Sequence, residues 1–313
     1  MRIFTRLALI AGIGLSTPAI GQVTVQLDFA GPYLAARHAA LQGDHRVAAE
    51  YFLEVLSGDP ENHVLRGDAM LALAAVGDWD RASALAAELP AEMEGREFAD
   101  LILQIARIRD GDLAGASEAI AEQRGAGPLV DPMLAGWLFL GEGDMSRATE
   151  TFVSIIESNS PIAGLVPYQL ALARASVGDF EGADRIFSGE EYGPLQVSSR
   201  GLRAHAQVLV QLDRHEDALE LLDTALERNG DQSLVVLRAS IAENPTRPYD
   251  FITTPQEGMA EVLFNLSRAL GTEAGTTLPL IYARAAHVID PEHVHSLLLA
   301  ADILAENGQY VLA

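Results

Sequence analysis

The chain has 313 residues, of which 49% are hydrophobic and 21% are charged, a composition far from that of disordered chains. Its formal net charge of −23 creates a field that repels nucleic acid and anionic lipid head groups, so binding to nucleic acid is disfavoured. The absence of cysteine excludes disulfides, thiolate metal sites and cysteine nucleophiles.

Residues 1–21 have the pattern of an export signal. Arg2 and Arg6 form a positive start, Leu7 to Leu15 is apolar, and Ala19-Ile20-Gly21 offers small residues for cleavage after Gly21. The apolar run is too short for the ~20 residues that span a bilayer. We therefore expect an exported protein, periplasmic in a Gram-negative bacterium, with membrane association only if the segment stays uncleaved.

A Gly-Asp pair recurs along the chain at intervals of 34, 34, 32 and 35 residues, and an alanine follows five residues after each glycine. The pairs begin at Gly43, Gly77, Gly111, Gly143 and Gly178, and the alanines are Ala48, Ala82, Ala116, Ala148 and Ala183. A period of this length indicates stacked supersecondary units. Glycine suits the left-handed residue that ends one helix and aspartate suits the N-cap of the next, so each pair predicts a tight helical hairpin.

Further positions keep the same register. Counting 34-residue units from 29, 129 and 164 places small residues at positions 8 and 20 and an aromatic residue at position 24. These residues are Ala36, Ala48 and Phe52, then Gly136, Ala148 and Phe152, then Ala171, Ala183 and Phe187. A degenerate sixth unit replaces Gly-Asp by Asp213-Arg214 but keeps Ala218. Small residues at these positions allow two helices to approach closely.

This pattern resembles the tetratricopeptide repeat family. The resemblance implies an all-α fold, an α-solenoid of helix-turn-helix repeats that forms a right-handed superhelix. About six repeats, several of them degenerate, would occupy residues 22–242. The first helices of the repeats would line a concave groove that holds an extended peptide or a partner's helix.

The pattern pauses after the sixth unit. Residues 243–254 contain two prolines and predict an insert loop, which is either a recognition element or a solvated connector pinned by Tyr249 and Phe251. Thr254, Pro255 and Glu257 then form a capping-box pattern that starts a new helix. Residues 255–313 return to register as further repeats, and the last unit stops early, so we expect this chain to be the N-terminal part of a longer protein.

Little in the sequence points to catalysis. His287, His293 and His295 form a local histidine cluster, but His293 and His295 are two residues apart and would lie on different faces of a helix. There is no phosphate-binding glycine-rich loop with lysine and no Gly-x-Ser-x-Gly elbow. We therefore predict no catalytic residue, no metal and no cofactor.

The resemblance assigns groove-facing positions that would bind a protein or peptide. They are Tyr33, Arg37, Trp137, Tyr168, Arg203, Gln207, Phe264 and Arg268. The arginines would bind carboxylates or carbonyl groups, and the aromatic residues would anchor a ligand. The alternative interpretation of Trp137 and Tyr168 is packing between neighbouring units.

Three functions are compatible with these features. The first is an exported, non-catalytic scaffold that binds a protein or peptide in the groove. The second is the targeting arm of a larger enzyme whose catalytic domain lies beyond residue 313, and the third is a self-assembling module of the envelope.

Overall fold

A computed structural model describes residues 29–93, 95–244, 246–271 and 277–313. This part of the chain contains α-helices, one short 3₁₀ helix at Ala163–Leu165 and no strand. The all-α prediction is therefore confirmed. Residues 1–21, the expected export signal, lie outside the described residues.

The helices follow one another with short connections. Their bounds are α1 Ala30–Leu41, α2 His45–Gly58, α3 His63–Val76, α4 Trp79–Ala87, α5 Arg96–Arg109, α6 Leu113–Ala121, α7 Asp131–Gly141, α8 Met145–Ile156, α9 Val166–Ser176, α10 Phe180–Phe187, α11 Ser199–Gln211, α12 His215–Asn229, α13 Gln232–Glu243, α14 Pro255–Leu270, α15 Thr277–Ile289 and α16 Val294–Glu306.

The first twelve helices pair as six successive hairpins, from α1–α2 to α11–α12, and each hairpin packs on the next. In five of them the connecting glycine has a positive φ, between 70° and 93°. The aspartate that follows it accepts a hydrogen bond from a backbone N–H in the first turn of the second helix. In the sixth hairpin Asp213 takes the left-handed conformation, with φ 59°, and Arg214 provides no side-chain cap.

Close helix contacts depend on small residues. The repeat alanines have no exposed surface: Ala48, Ala82, Ala116, Ala148, Ala183 and Ala218. Gly136 faces the ring of Phe152, where a Cβ would lie 2.4 Å from Cζ. These contacts make the described chain a tetratricopeptide-like α-solenoid, because each hairpin buries its apolar surface against the adjacent hairpin.

The last three helices do not simply extend this stack. Helix α13 packs on α11 and α12, whereas α14 packs on α7 and α9, and α15 packs on α3 and α5. The chain therefore turns back after α13, and the α14–α15 hairpin covers the side formed by the first helices of the repeats. We call the side formed by α3, α5, α7, α9 and α11 the inner face.

The composition of α14 explains this position. Residues 258–264 of α14 are all buried, and six of the seven are glycine or apolar residues. A helix with buried residues all around it is stable only between two layers of protein. The predicted capping box of Thr254 and Glu257 is present and starts α14.

Candidate partner-binding face

The inner face was expected to bind a peptide, and in the structure α14 occupies its centre. Trp137 of α7 is fully buried, and its indole N–H donates to Gln169 Oε1 of α9 at 3.0 Å. Gly258 of α14 lies flat against the indole, since a Cβ at Gly258 would be 2.3 Å from ring carbons. Trp137 therefore anchors a helix of its own chain as well as the neighbouring repeat.

Glu261 of α14 is the polar centre of this contact. Its side chain has no exposed surface, and Oε2 accepts hydrogen bonds from Arg200 Nε at 2.9 Å and Nη2 at 2.7 Å. Tyr168 Oη donates to Oε1 at 2.9 Å, and Asn265 Nδ2 donates to the same oxygen at 3.2 Å. His293 Nε2 lies 3.0 Å from Oε2. This one carboxylate joins α9, α11, α14 and the residue before α16.

Hydrogen bonding defines the tautomer of His293. Its Nδ1 accepts the backbone N–H of Ser296 at 3.1 Å and so caps α16. Nε2 must then carry the proton that is donated to Glu261. His293 is nearly fully buried, so it has a structural role in holding α16 on α14.

The charge state of the cluster follows from its neighbours. Burial alone would raise the pKa of the Glu261 carboxyl, but the charge of Arg200 and the hydrogen bond from His293 outweigh burial and hold the pKa well below its usual value of 4.5. Burial and the nearby charge of Glu261 raise the pKa of the Tyr168 hydroxyl well above its usual value of 10. Glu261 is thus an acceptor and Tyr168 a donor.

The loop between α13 and α14 runs along α11 and is held by side chains one turn apart. Gln207 Nε2 donates to Asp250 Oδ1 at 2.7 Å, and Gln207 Oε1 accepts the Asp250 N–H at 3.1 Å. Gln211 Nε2 donates to the carbonyl of Arg247 at 2.8 Å. Arg203 Nη2 donates to Asp250 Oδ1 at 3.3 Å. The inner face therefore binds an extended segment through both its main chain and its side chains.

Aromatic side chains fix the same loop. Phe251 is 8% exposed, and the guanidinium of Arg200 lies 4.7 Å from its ring centroid. Tyr249 packs on Phe180 of α10, with ring centroids 5.9 Å apart. Tyr249 and Phe251 thus pin the loop to the repeats, as the connector interpretation expects.

The other predicted groove residues are spread over the molecule. Tyr33 and Arg37 of α1 are exposed, and Arg37 pairs with Asp68 at 3.5 Å. Phe264 is buried against His293, with centroids 4.9 Å apart. Arg268 is exposed near the end of α14.

The predicted groove residues thus divide into two groups. Five of them bond to or pack on other residues of the same chain, at the contact with α14 and its preceding loop: Trp137, Tyr168, Arg203, Gln207 and Phe264. Tyr33, Arg37 and Arg268 stay accessible.

A cavity lies beside α14, between that helix, α9 and the loop before α11. It has a volume of about 220 Å³, and its walls include Leu165, Tyr168, Leu195, Ser198, Asn265 and Arg268. Arg268 has no carboxylate within ion-pair distance among the described residues, and its guanidinium lies 5.8 Å from the ring centroid of Phe264. The cavity offers an apolar wall and one cation, a combination suited to a ligand with an apolar body and an acceptor group.

The sequence analysis did not identify Glu261, whose carboxylate accepts the hydrogen bonds described above. One acidic residue among 44 does not stand out. A signal did exist, since Glu261 occupies the second, groove-facing position of the unit counted from 260 and is surrounded by apolar residues. Arg200 and Gly258 carry no local pattern that predicts their contacts.

The described residues contain no group of three or more histidine, aspartate and glutamate side chains arranged to hold a metal ion. No helix in the described ranges is long and apolar enough to cross a bilayer.

No family model matches this chain, and no curated protein matches it either. A solved structure of Naa15/Naa10 bound to HypK-THB is similar over 92% of this chain and 57% of that chain, with 14% sequence identity and a TM-score of 0.35. The chain thus spans just over half the length of that solved chain, and the assignment of the fold depends on the helix contacts described above.

Proposed function

We propose that this protein is an exported, non-catalytic scaffold that binds a peptide segment of a protein partner in the cavity between α9, the loop before α11, and α14. The proposal is based on this cavity, which has a volume of about 220 Å³. Tyr168 and Arg268, two residues expected to face a ligand, both line it. It is a part of the inner face that α14 leaves open.

The chemistry of the cavity supports a peptide ligand. Leu165 and Leu195 offer an apolar wall for a side chain, and Arg268 offers donors to a carboxylate or a main-chain carbonyl. The contacts of Gln207 and Gln211 with residues 247–250 provide a precedent within the same molecule, because these side chains already bind an extended segment through its main chain. Binding in the cavity requires no displacement of α14.

The positive start, apolar stretch and small cleavage residues of residues 1–21 support export. The proposed setting is the periplasm of a Gram-negative bacterium. Secretion can be tested separately by expressing the full chain and measuring the mass of the mature N-terminus.

Site-specific crosslinking tests the binding proposal. A photo-crosslinking amino acid at position 195, in the complete chain, should capture a defined partner from the native envelope fraction. Arg268→Glu should reduce the captured band strongly, since it reverses the one charge in the cavity that lacks a carboxylate partner among the described residues. Arg228→Glu is the matched control, because Arg228 is an exposed arginine on α12 outside the lining of the cavity. Equal capture by both variants would refute the proposal.

A further inference from the structure

The loop before α11 forms one wall of the cavity beside α14. Its four consecutive residues 195–198 all line the cavity. They lie in neither a helix nor a turn, and exposure alternates along the loop, since Pro194 and Gln196 are exposed whereas Leu195 and Val197 are half-buried. Ser198 has φ −77° and ψ 176°, which is an extended conformation. The loop therefore has the features of an extended segment.

The main chain of this segment forms part of the cavity wall. In an extended segment, successive side chains point to opposite sides. The side chains of four consecutive residues therefore cannot all point into one cavity. Because residues 195–198 all line it, some of them do so through their backbone atoms.

The backbone of this segment has free hydrogen-bonding capacity. The N–H and C=O groups of Leu195, Gln196 and Val197 form no hydrogen bond within the described part of the chain. An extended backbone with unpaired groups is a surface to which a second extended chain can add through main-chain hydrogen bonds. The wall of the cavity thus offers donors and acceptors that do not depend on the side chains of a ligand.

The opposite wall offers a charge. Arg268 of α14 is exposed, lines the same cavity and has no carboxylate partner among the described residues. The loop before α14 shows how the inner face binds an acidic residue of an extended segment. There the main chain of Asp250 is bonded to Gln207, and its carboxylate is paired with Arg203. The cavity combines the same two elements, an unpaired backbone and an arginine.

We propose that the peptide bound in this cavity is an extended strand that pairs with the main chain of residues 195–198 and places an acidic side chain against Arg268. This inference rests on the proposed function, because it specifies the ligand of the same site. An apolar side chain on the same side of the strand packs against Leu165 and Leu195. A helical ligand would not use this wall, because its main-chain groups are already bonded to one another.

Selection from a random peptide library on the complete protein tests the inference without knowledge of the natural partner. Moderate salt screens the negative charge of the protein. Enriched peptides should contain an apolar residue and an aspartate or glutamate two positions apart, because residues i and i+2 of a strand lie on one side. The strongest binder is then synthesised, and its affinity is measured by fluorescence anisotropy.

N-methylation of the synthetic peptide tests main-chain pairing. Methylation of alternate amides should weaken binding by about threefold to tenfold each, the effect of losing one hydrogen bond. Methylation of the intervening amides should have little effect, because they point away from the protein. In the complex, hydrogen exchange should slow at alternate amides of residues 195–197.

A double-mutant cycle tests the charge. Replacing the acidic residue of the peptide by its amide should weaken binding by about tenfold or more. Arg268→Gln should weaken binding equally, and the two changes together should cost little more than either alone. Arg228→Gln, on the exposed surface of α12, is the control and should leave binding unchanged. Because Arg268 is exposed, its replacement should preserve the fold, which circular dichroism verifies.

The outcomes separate this inference from the function on which it rests. If the library yields no binder that Arg268→Gln weakens, the proposed function and this inference both fail. If binders depend on Arg268 but tolerate N-methylation at every amide, or become helical when bound, this inference alone is overturned. Binding that depends on Arg268 and on alternate amides supports both.

Discussion

The contact between Gly258 and Trp137 can be tested with a single methyl group. Gly258→Ala places a Cβ 2.3 Å from carbons of the Trp137 ring, and this ring has no exposed surface and is held by Gln169. Overpacking of this kind costs about 1–3 kcal/mol. Replacing glycine by alanine in a helix contributes up to about 1 kcal/mol in the opposite direction. We expect a net loss of about 0.5–2 kcal/mol.

Gly67→Ala in α3 is the matched control. A Cβ at Gly67 meets only Met93 Cε, at the ordinary contact distance of 3.7 Å. The helix-propensity gain is therefore unopposed, and the variant should be more stable than the wild type by about 0.5–1 kcal/mol. The difference between the two variants isolates the packing cost.

Urea denaturation followed by circular dichroism measures both free energies of unfolding. Tryptophan fluorescence of the same variants in a Trp79→Phe background reports on Trp137 alone. If Gly258→Ala were as stable as Gly67→Ala, α14 would not lie on Trp137 in solution. The inner face would then be open, and the hairpin of α14 and α15 would not cover it.

Three further predictions concern charge, packing and the loop. Glu261→Gln should lower the free energy of unfolding by about 3 kcal/mol, because it leaves Arg200 without its buried counter-charge. The folded-state pKa of Glu261 is depressed, so the stability that Glu261 contributes is present above its usual pKa of 4.5 and is lost as the pH falls towards the folded-state value. In urea titrations the variant should therefore lose less stability on acidification than the wild type. Ala148→Leu should cost about 1–3 kcal/mol by overpacking a fully buried position, and an unchanged melting curve would contradict the repeat register. Gln207→Ala should speed hydrogen exchange of the Asp250 amide by about tenfold to a hundredfold, with Ala40→Gly as an exposed control variant that leaves this rate unchanged.

Trp137 and Tyr168 lie on the inner face, as the repeat positions predict, but their partners are Gly258 and Glu261 of the same chain. These contacts join residues that are far apart in the sequence. A repeat pattern has no information about such pairs, because its period reports contacts between adjacent units only.

By itself, the sequence determined the hairpins and their stacking. Gly77 and Asp78 act locally, through a positive φ and an N-cap, and Ala148 acts on the nearest helix, so a short stretch of sequence contains the whole physical cause. Only the tertiary structure decided that α14 and α15 cover the inner face. That outcome depends on a glycine that fits a distant indole and on a carboxylate that meets a distant guanidinium, and such complementarity exists only after both surfaces have formed.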